Sequence, residues 1–460
     1  MIRSTLFDLQ PWLTGALAAA DAPFGGVSTD SRHVTPGNLF VALRGEKFDA
    51  HDFLKSVEAA GAVAAVVERA PIDMTIPALV VPDTRVALGE IARHWRRQFS
   101  LPLIGVTGSN GKTTVKEMIA AILAAALEPQ QVLATKGNLN NEIGVPLTLL
   151  RLNQHCRAGV VEMGMNHRGE IALLASIAQP TVGLVNNAQR EHQEFMESVE
   201  AVARENGSVI ASLPSNGIAV FPSDDTYTPV WRELAMSTGK RTVITFGFSP
   251  DADITCDYDL QEFGSGLIVK GGGHEFPVQL NAAGMHNVRN ALAATACTLA
   301  IGVAPDAIKR GLEGFVPVVG RLQQKVSRIG SRVIDDTYNA NPDSVRAAID
   351  VLAQYPAPRI LVLGDMGEVG TDGKKFHEEI GAYARGRHIE HLLTLGELAR
   401  HASSAFGSRG KHYENIDILK QAADTMLTPS VTVLVKGSRF MKMERVVQHL
   451  LGKEVEPGSH

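Results

Sequence analysis

Two rhythms of apolar and polar residues run along the chain. Short unbroken apolar runs, at residues 39–43, 63–67, 78–82, 101–106, 159–161 and 182–185, have the length of buried strands. Residues 53–61, which end on Gly61, and residues 115–123 instead place apolar side chains three and four apart, as an amphipathic helix does. Further on, strand-like runs at 332–336, 359–366, 391–396 and 431–438 alternate with helical patterns at 344–353 and 376–385. Such alternation predicts a doubly wound parallel sheet. Residues 218–282 differ: 241–247 and 266–273 alternate and are punctuated by glycine, which predicts β-hairpins attached to the middle of the chain. Together the pattern predicts an α/β protein of three units. These are a small α/β unit over residues 1–95, a central α/β unit with a mainly parallel sheet over 96–318, and a Rossmann-like unit over 319–460.

Composition changes this picture little. The chain has 460 residues, 45% apolar and 20% charged, with a net charge of -5, so it lacks the broad basic field of a nucleic-acid binder. Cys156, Cys256 and Cys297 are far apart and show no metal-ligand spacing. They read as reduced thiols. The first residues lack the basic-then-apolar layout of a secretory leader, and no apolar run is long enough to span a bilayer. A cytoplasmic enzyme without membrane insertion is expected.

The chemistry is declared at Thr107-Gly108-Ser109-Asn110-Gly111-Lys112-Thr113-Thr114, a glycine-rich turn between a predicted strand and a predicted helix. In that context backbone N–H groups wrap phosphates, the helix N-terminus adds its positive end, Lys112 supplies a full charge and Thr113 can hold magnesium. The loop departs from the general pattern in having Val106 where a further glycine is usual. Glu162 ends a buried strand, where ligands gather on a parallel sheet and where a carboxylate is costly without a cation. His192 follows the run at 182–185, and spacing alone leaves it open between an ordinary loop histidine and a metal ligand. Asn287 and Asn290, three apart, put both amides on one helix face suited to reading a base edge. Near the start, Thr29-Asp30-Ser31-Arg32 and the turn holding Asp49 and His51 can bind a nucleotide ribose and diphosphate, although a solvated turn is the favoured reading of each alone.

With these residues in view the chain resembles the Mur ligase family, the ATP-dependent amide-forming enzymes of peptidoglycan synthesis. The resemblance rests on residues 107–114, the asparagine-rich loop at 138–146, Glu162-Met163-Gly164, His286-Asn287-Val288-Arg289-Asn290-Ala291, Gly320-Arg321 and Asp335-Asp336-Thr337-Tyr338-Asn339-Ala340-Asn341-Pro342. The last stretch, with residues 363–366 and 29–32, points within the family to a member that joins D-alanyl-D-alanine to UDP-N-acetylmuramoyl-tripeptide. It implies ATP and Mg2+ as cofactors, those two substrates as partners, and a monomer. Residue by residue, it implies that Lys112 contacts the ATP phosphates, that Thr113, Glu162 and His192 serve magnesium, and that Gly108, Ser109, Asn110, Gly111 and Thr114 complete the phosphate cradle. Asn287 and Asn290 would meet the adenine side, Arg321 the γ-phosphate and Asp336 the ribose. Thr29, Asp30, Ser31, Arg32, Asp49 and His51 would receive the UDP part, and Asn339 and Asn341 would lie near the joining peptides.

Two departures stand out. A lysine that is carbamylated in some relatives falls, fourteen residues after His192, on Asn206, and the family's His-Leu-Glu-Gly-Phe-Gly is replaced by His192-Gln193-Glu194-Phe195-Met196-Glu197. The dipeptide amine needs a proton acceptor, for which His377 and Asp365 are candidates. Acyl phosphates hydrolyse, so a third unit that closes about a hinge near residues 316–320 is expected. The rival readings are a sister ligase that adds one amino acid to a UDP-muramoyl peptide or to folate, and a non-catalytic phosphate-loop protein. Against the first, the Asp-Asn-Pro-Arg motif of the enzymes installing the third residue is absent; against the second, there is no base-reading Asn-Lys-x-Asp.

Overall fold

The computed structural model describes residues 1–453 apart from 70–73, 192–193, 238, 240 and 263. Its centre is a nine-stranded sheet. The strands Leu103–Thr107, Ala158–Glu162 and Val182–Val185 are buried along their whole length, as central parallel strands covered on both faces must be. Leu103–Thr107 lies between the other two and pairs in parallel with both. The helices Lys112–Ala126 and Met285–Ala300 pack on one face of this sheet, with Val115, Met118, Ile119, Val288 and Leu292 in a shared core.

The span 218–282 is where the observed architecture departs from the sequence pattern. Thr242–Phe246 is not a hairpin arm: it continues the parallel sheet beside Ile218–Pro222. The reason lies between them, where the helix Thr228–Ser237 buries Trp231 and Ala235 and carries the chain back over the sheet, so the two strands run the same way. Only Ile254–Gln261, Gly264–Gly271 and His274–Leu280 form the expected antiparallel ribbon, and it extends the same sheet.

Toward the N-terminus, five short strands form a separate sheet in which Val27–Ser28, Leu39–Val41, Ala64–Val67 and Ala78–Val80 are parallel and Leu17–Ala18 closes an antiparallel edge. Toward the C-terminus, Arg332–Asp336, Thr432–Lys436, Arg359–Gly364, His391–Leu395 and Gly410–Tyr413 run parallel in that spatial order, with Gln323–Val326 antiparallel on the edge.

The contacts between these regions are unequal. Ile2, Leu88, Leu103 and Leu174 belong to one continuous apolar core, so the N-terminal sheet and the central sheet are packed together. The helix Thr84–Arg96 seals that junction, with buried Arg96 donating to the carbonyl of Ala178. The C-terminal sheet keeps two cores of its own, to which the central region adds Ala283. It meets the centre largely through polar pairs, the kind of boundary across which units move.

Candidate active site

The phosphate loop is shaped by its glycines and by asparagine amides around it. Gly111 has φ +81° and immediately precedes the helix Lys112–Ala126, and a Cβ there would sit 2.6 Å from Asn290 Oδ1 and 2.7 Å from Asn186 Nδ2. No side chain caps this helix, which leaves its first N–H groups to a ligand. Asn186 and Asn187, at the end of Val182–Val185, donate to the carbonyl of Asn110 at 2.8 and 2.9 Å. Asn187 Oδ1 accepts the Asn110 N–H at 2.9 Å, and Asn206 Oδ1 accepts the Gly108 N–H at 2.9 Å. Asn206 is thus a buried strut beneath the loop, on the helix Val199–Ala211.

The loop opens onto a cavity of about 830 Å³. From the central region come Ser109 to Thr114, Glu162, Asn287 and Asn290; from the C-terminal region come Arg321, Asp336, Tyr338, Asn339, Asn341 and Lys436. Lys112 folds back over the loop, with Nζ 2.5 Å from the Gly108 carbonyl and 2.9 Å from Glu191 Oε1. Arg321 crosses from the other side: its guanidinium stacks on Tyr338 at 4.3 Å and donates to Thr113 Oγ1 at 2.9 Å. Asn341 caps the helix Pro342–Ala353, accepting the Ser344 N–H at 2.8 Å, and its Nδ2 donates to Asn110 Oδ1 at 2.9 Å. A helix cap of the C-terminal region is thereby bonded to the phosphate loop itself.

Glu162 is held by Thr135 and by the asparagine-rich loop that follows it. Its N–H donates to Thr135 Oγ1 at 3.0 Å, and its Oε1 accepts from Asn140 Nδ2 at 2.8 Å. Its Oε2 is buried with no hydrogen-bond partner. A carboxylate oxygen left so inside a cavity beside Thr113 fits a divalent cation, which takes hard oxygen donors and keeps several waters. Among the described residues no three His, Cys, Asp or Glu side chains cluster as a metal site. His192 lies outside the described residues.

Other positions chosen from the sequence are engaged elsewhere. Asn287 Nδ2 donates to the carbonyl of Ala283 at 2.9 Å, and Asn290 joins Asn287 to Asn186, so both amides brace the site as well as line it. Asp336 accepts the Leu322 N–H at 3.1 Å and forms a buried ion pair with Lys436 at 2.6 Å. Asn339 accepts the adjacent Ala340 N–H at 2.9 Å. Thr29, Asp30, Ser31, Arg32, Asp49 and His51 do not line the cavity. Asp30 holds Arg32 at 2.8 Å, and that guanidinium keeps its carboxyl far below the usual carboxylate range. His51 has no nitrogen to spare: Nδ1 meets Asp49 at 2.5 Å, and Nε2 accepts the Glu68 N–H at 2.9 Å. His377 is likewise consumed, between the Gly373 carbonyl and the Met366 N–H, which removes it as the proton acceptor. Burial lowers its pKa. Asp365 accepts the Ala399 N–H at 2.7 Å and lines a second, smaller cavity.

Lys436 escaped the sequence reading although its signal was present, since it ends a buried strand as Glu162 does. His286, on the helix that also carries Asn287, lines the cavity together with Asp336, Lys436 and Asp350. Burial pushes its pKa down to about 4 against an ordinary 6.5. The neutral ring therefore contributes stability that is complete above pH 6.5 and is lost as pH falls toward 4. Denaturation midpoints of the protein are expected to fall over that window, and those of a His286→Gln variant to fall less.

The family models fit the same frame. The Mur ligase middle domain matches residues 106–298, the glutamate ligase domain of Mur ligases matches 320–439, and the Mur ligase family catalytic domain matches 23–96. The UDP-N-acetylmuramoyl-tripeptide--D-alanyl-D-alanine ligase of Escherichia coli K12 is 41% identical over 456 residues, covering 98% of this chain and 99% of that enzyme. This chain belongs to the Mur ligase family. Among solved Mur ligases, MurF from Acinetobacter baumannii superposes with a TM-score of 0.90 at 35% identity, over 98% of this chain and 100% of that one. MurF from Thermotoga maritima, solved in complex with ADP, gives 0.82 at 27% identity, over 93% and 97% of the two chains. As in those Mur ligases the chain is α/β throughout, and no described helix is long and apolar enough to cross a membrane.

Proposed function

We propose that this Mur ligase joins D-alanyl-D-alanine to UDP-N-acetylmuramoyl-tripeptide at the expense of ATP, releasing ADP and phosphate. The observation that carries the reading is the convergence of Lys112 and Glu162, from the central region, with Arg321, from the C-terminal region, on one cavity. A carboxylate does not react with an amine at neutral pH, so an oxygen of the tripeptide carboxylate attacks the γ-phosphorus and ADP leaves. The unprotonated amine of the dipeptide then attacks the acyl carbon, the C–O bond breaks, and the departing phosphate takes that bond's electrons and the proton the amine gives up. The first step brings an anion to a polyanion, a repulsion of roughly 4 kcal/mol for unit charges about 4 Å apart at an effective dielectric of about 20. Lys112 and Arg321, which line the same cavity, offset it with their positive charges. Thr113 and Glu162, with His192, would hold Mg2+, which supplies charge neutralisation on the phosphates.

The division of labour follows the three spans. Residues 1–95 take the UDP-sugar through Thr29 to Arg32 and the Asp49 turn, residues 96–318 take ATP, and residues 319–460 bring Arg321, Asp336, Asn339 and Asn341 to the reacting ends. Arg321 is assigned to the γ-phosphate, Asp336 to the ribose, and Asn287 and Asn290 to the adenine side. An amine screen with ATP and the UDP-muramoyl tripeptide, read as phosphate release, tests the assignment. D-alanyl-D-alanine is expected to stimulate release well above D-alanine or single L-amino acids; equal stimulation by a single amino acid would move the chain to a sister activity.

A further inference from the structure

The segment at residues 187–191, which follows the strand Val182–Val185, ties the C-terminal region to the phosphate loop. On one side it packs on the loop: Ser109 N–H donates to the Asn187 carbonyl at 3.2 Å, Gln189 N–H donates to Ser109 Oγ at 2.9 Å, and Glu191 meets Lys112. On the other side Arg190 reaches across the boundary. Its Nη2 lies 2.6 Å from Asp343 Oδ1, its own N–H donates to Asp343 Oδ2 at 2.9 Å, and its Nη1 lies 2.7 Å from Glu379 Oε2. The guanidinium also covers the Phe376 ring at 5.3 Å. Asp343 is the second residue of the helix that Asn341 caps, so the ion pair and the Asn341–Asn110 bridge fix the same helix end.

We propose that Arg190 is a positioning residue of the ligase reaction, clamping the C-terminal region over the phosphate loop so that Arg321 and Asn341 reach the nucleotide. An isolated surface ion pair contributes little, but this one is forked, shared between two carboxylates and backed by a ring. All three side chains are mostly covered: Arg190 and Asp343 are 23% exposed and Glu379 32%. Hydrogen bonding to Arg190 holds the Glu379 carboxyl below its ordinary range, and the carboxylates raise Arg190 in turn. Since among the described residues no large apolar core crosses the boundary, loss of the clamp lets the C-terminal region swing away. A misplacement of about 1 Å at a reacting centre costs on the order of 100-fold in rate.

The proposal rests on the ligase reading, and its test separates the two. In phosphate-release assays on the full chain, Arg190→Gln is expected to lower kcat about 10- to 100-fold while KM for ATP changes less than about threefold, because Lys112 and the loop are untouched. Arg190→Lys, which keeps the charge and loses the fork, should recover part of the rate. The double variant Arg190→Gln with Asp343→Asn should be no slower than Arg190→Gln alone within a factor of about two, as for residues acting through one contact. Solution scattering of the substrate-bound chain should show a larger radius of gyration for Arg190→Gln than for the parent. A parent that releases no phosphate with the dipeptide overturns the ligase reading, and scattering then decides the clamp by itself. Unchanged kcat and unchanged radius, or multiplicative losses in the double variant, overturn the clamp. Should Arg190→Gln fail to fold by circular dichroism, Asp343→Asn carries the same expectations.

Discussion

Lys112→Ala is expected to lower phosphate release by at least about a thousandfold while leaving the fold intact, the two effects read by turnover assay and by thermal unfolding of the same preparation. The ammonium is the one full charge carried by the phosphate loop itself, and removing it leaves the loop only backbone N–H groups and neutral side chains to offer the polyphosphate. Stability depends on it far less. Its contacts are two loop carbonyls and Glu191, all beside the loop itself, so its loss falls on the loop and not on an apolar core. Asn186, Asn187 and Asn206 brace the loop independently, so its geometry does not rely on the lysine. Retained turnover in a folded Lys112→Ala protein would remove the loop from the mechanism.

What the sequence made legible follows the range of the interactions involved. The strand before the loop, the helix after it and the carboxylate ending the next strand are each specified within about ten residues, and periodicity finds them. The alternation over 332–436 likewise appears as the parallel C-terminal sheet, because each apolar run must be buried on both faces wherever the chain takes it. The parallel placement of Thr242–Phe246 was hidden because strand direction depends on the crossover helix before it and not on the strand's own alternation. His51 and His377 looked chemically available in the sequence, yet backbone groups that folding brings beside them take their nitrogens. Arg190 carries no local signal at all. Its carboxylate partners lie 153 and 189 residues further along the chain, and only the assembled boundary brings them together. Asn206 shows the same limit, since its bond to Gly108 spans 98 residues.

Glu162→Gln is expected to move activity and stability in opposite directions. The carboxylate is 2% exposed, one of its oxygens is bonded to Asn140 and the other has no partner. Burying a charge without a counter-ion costs several kcal/mol in an apolar interior, and the fold retains it here at the wall of the phosphate cavity. A glutamine keeps the shape and can still accept from Asn140, but it removes the charge and with it that cost. Without magnesium or nucleotide, the variant should therefore unfold at a higher midpoint than the parent. With them it should lose on the order of 100- to 1000-fold in phosphate release, and its half-saturating magnesium concentration should rise at least about tenfold, because a neutral amide is a far weaker ligand for a hard cation. The inverse relation is what a site selected for function over stability produces. A magnesium titration superimposable on that of the parent would mean that the unpartnered oxygen serves something other than the metal, and a lowered midpoint would mean that Glu162 is held for structure alone.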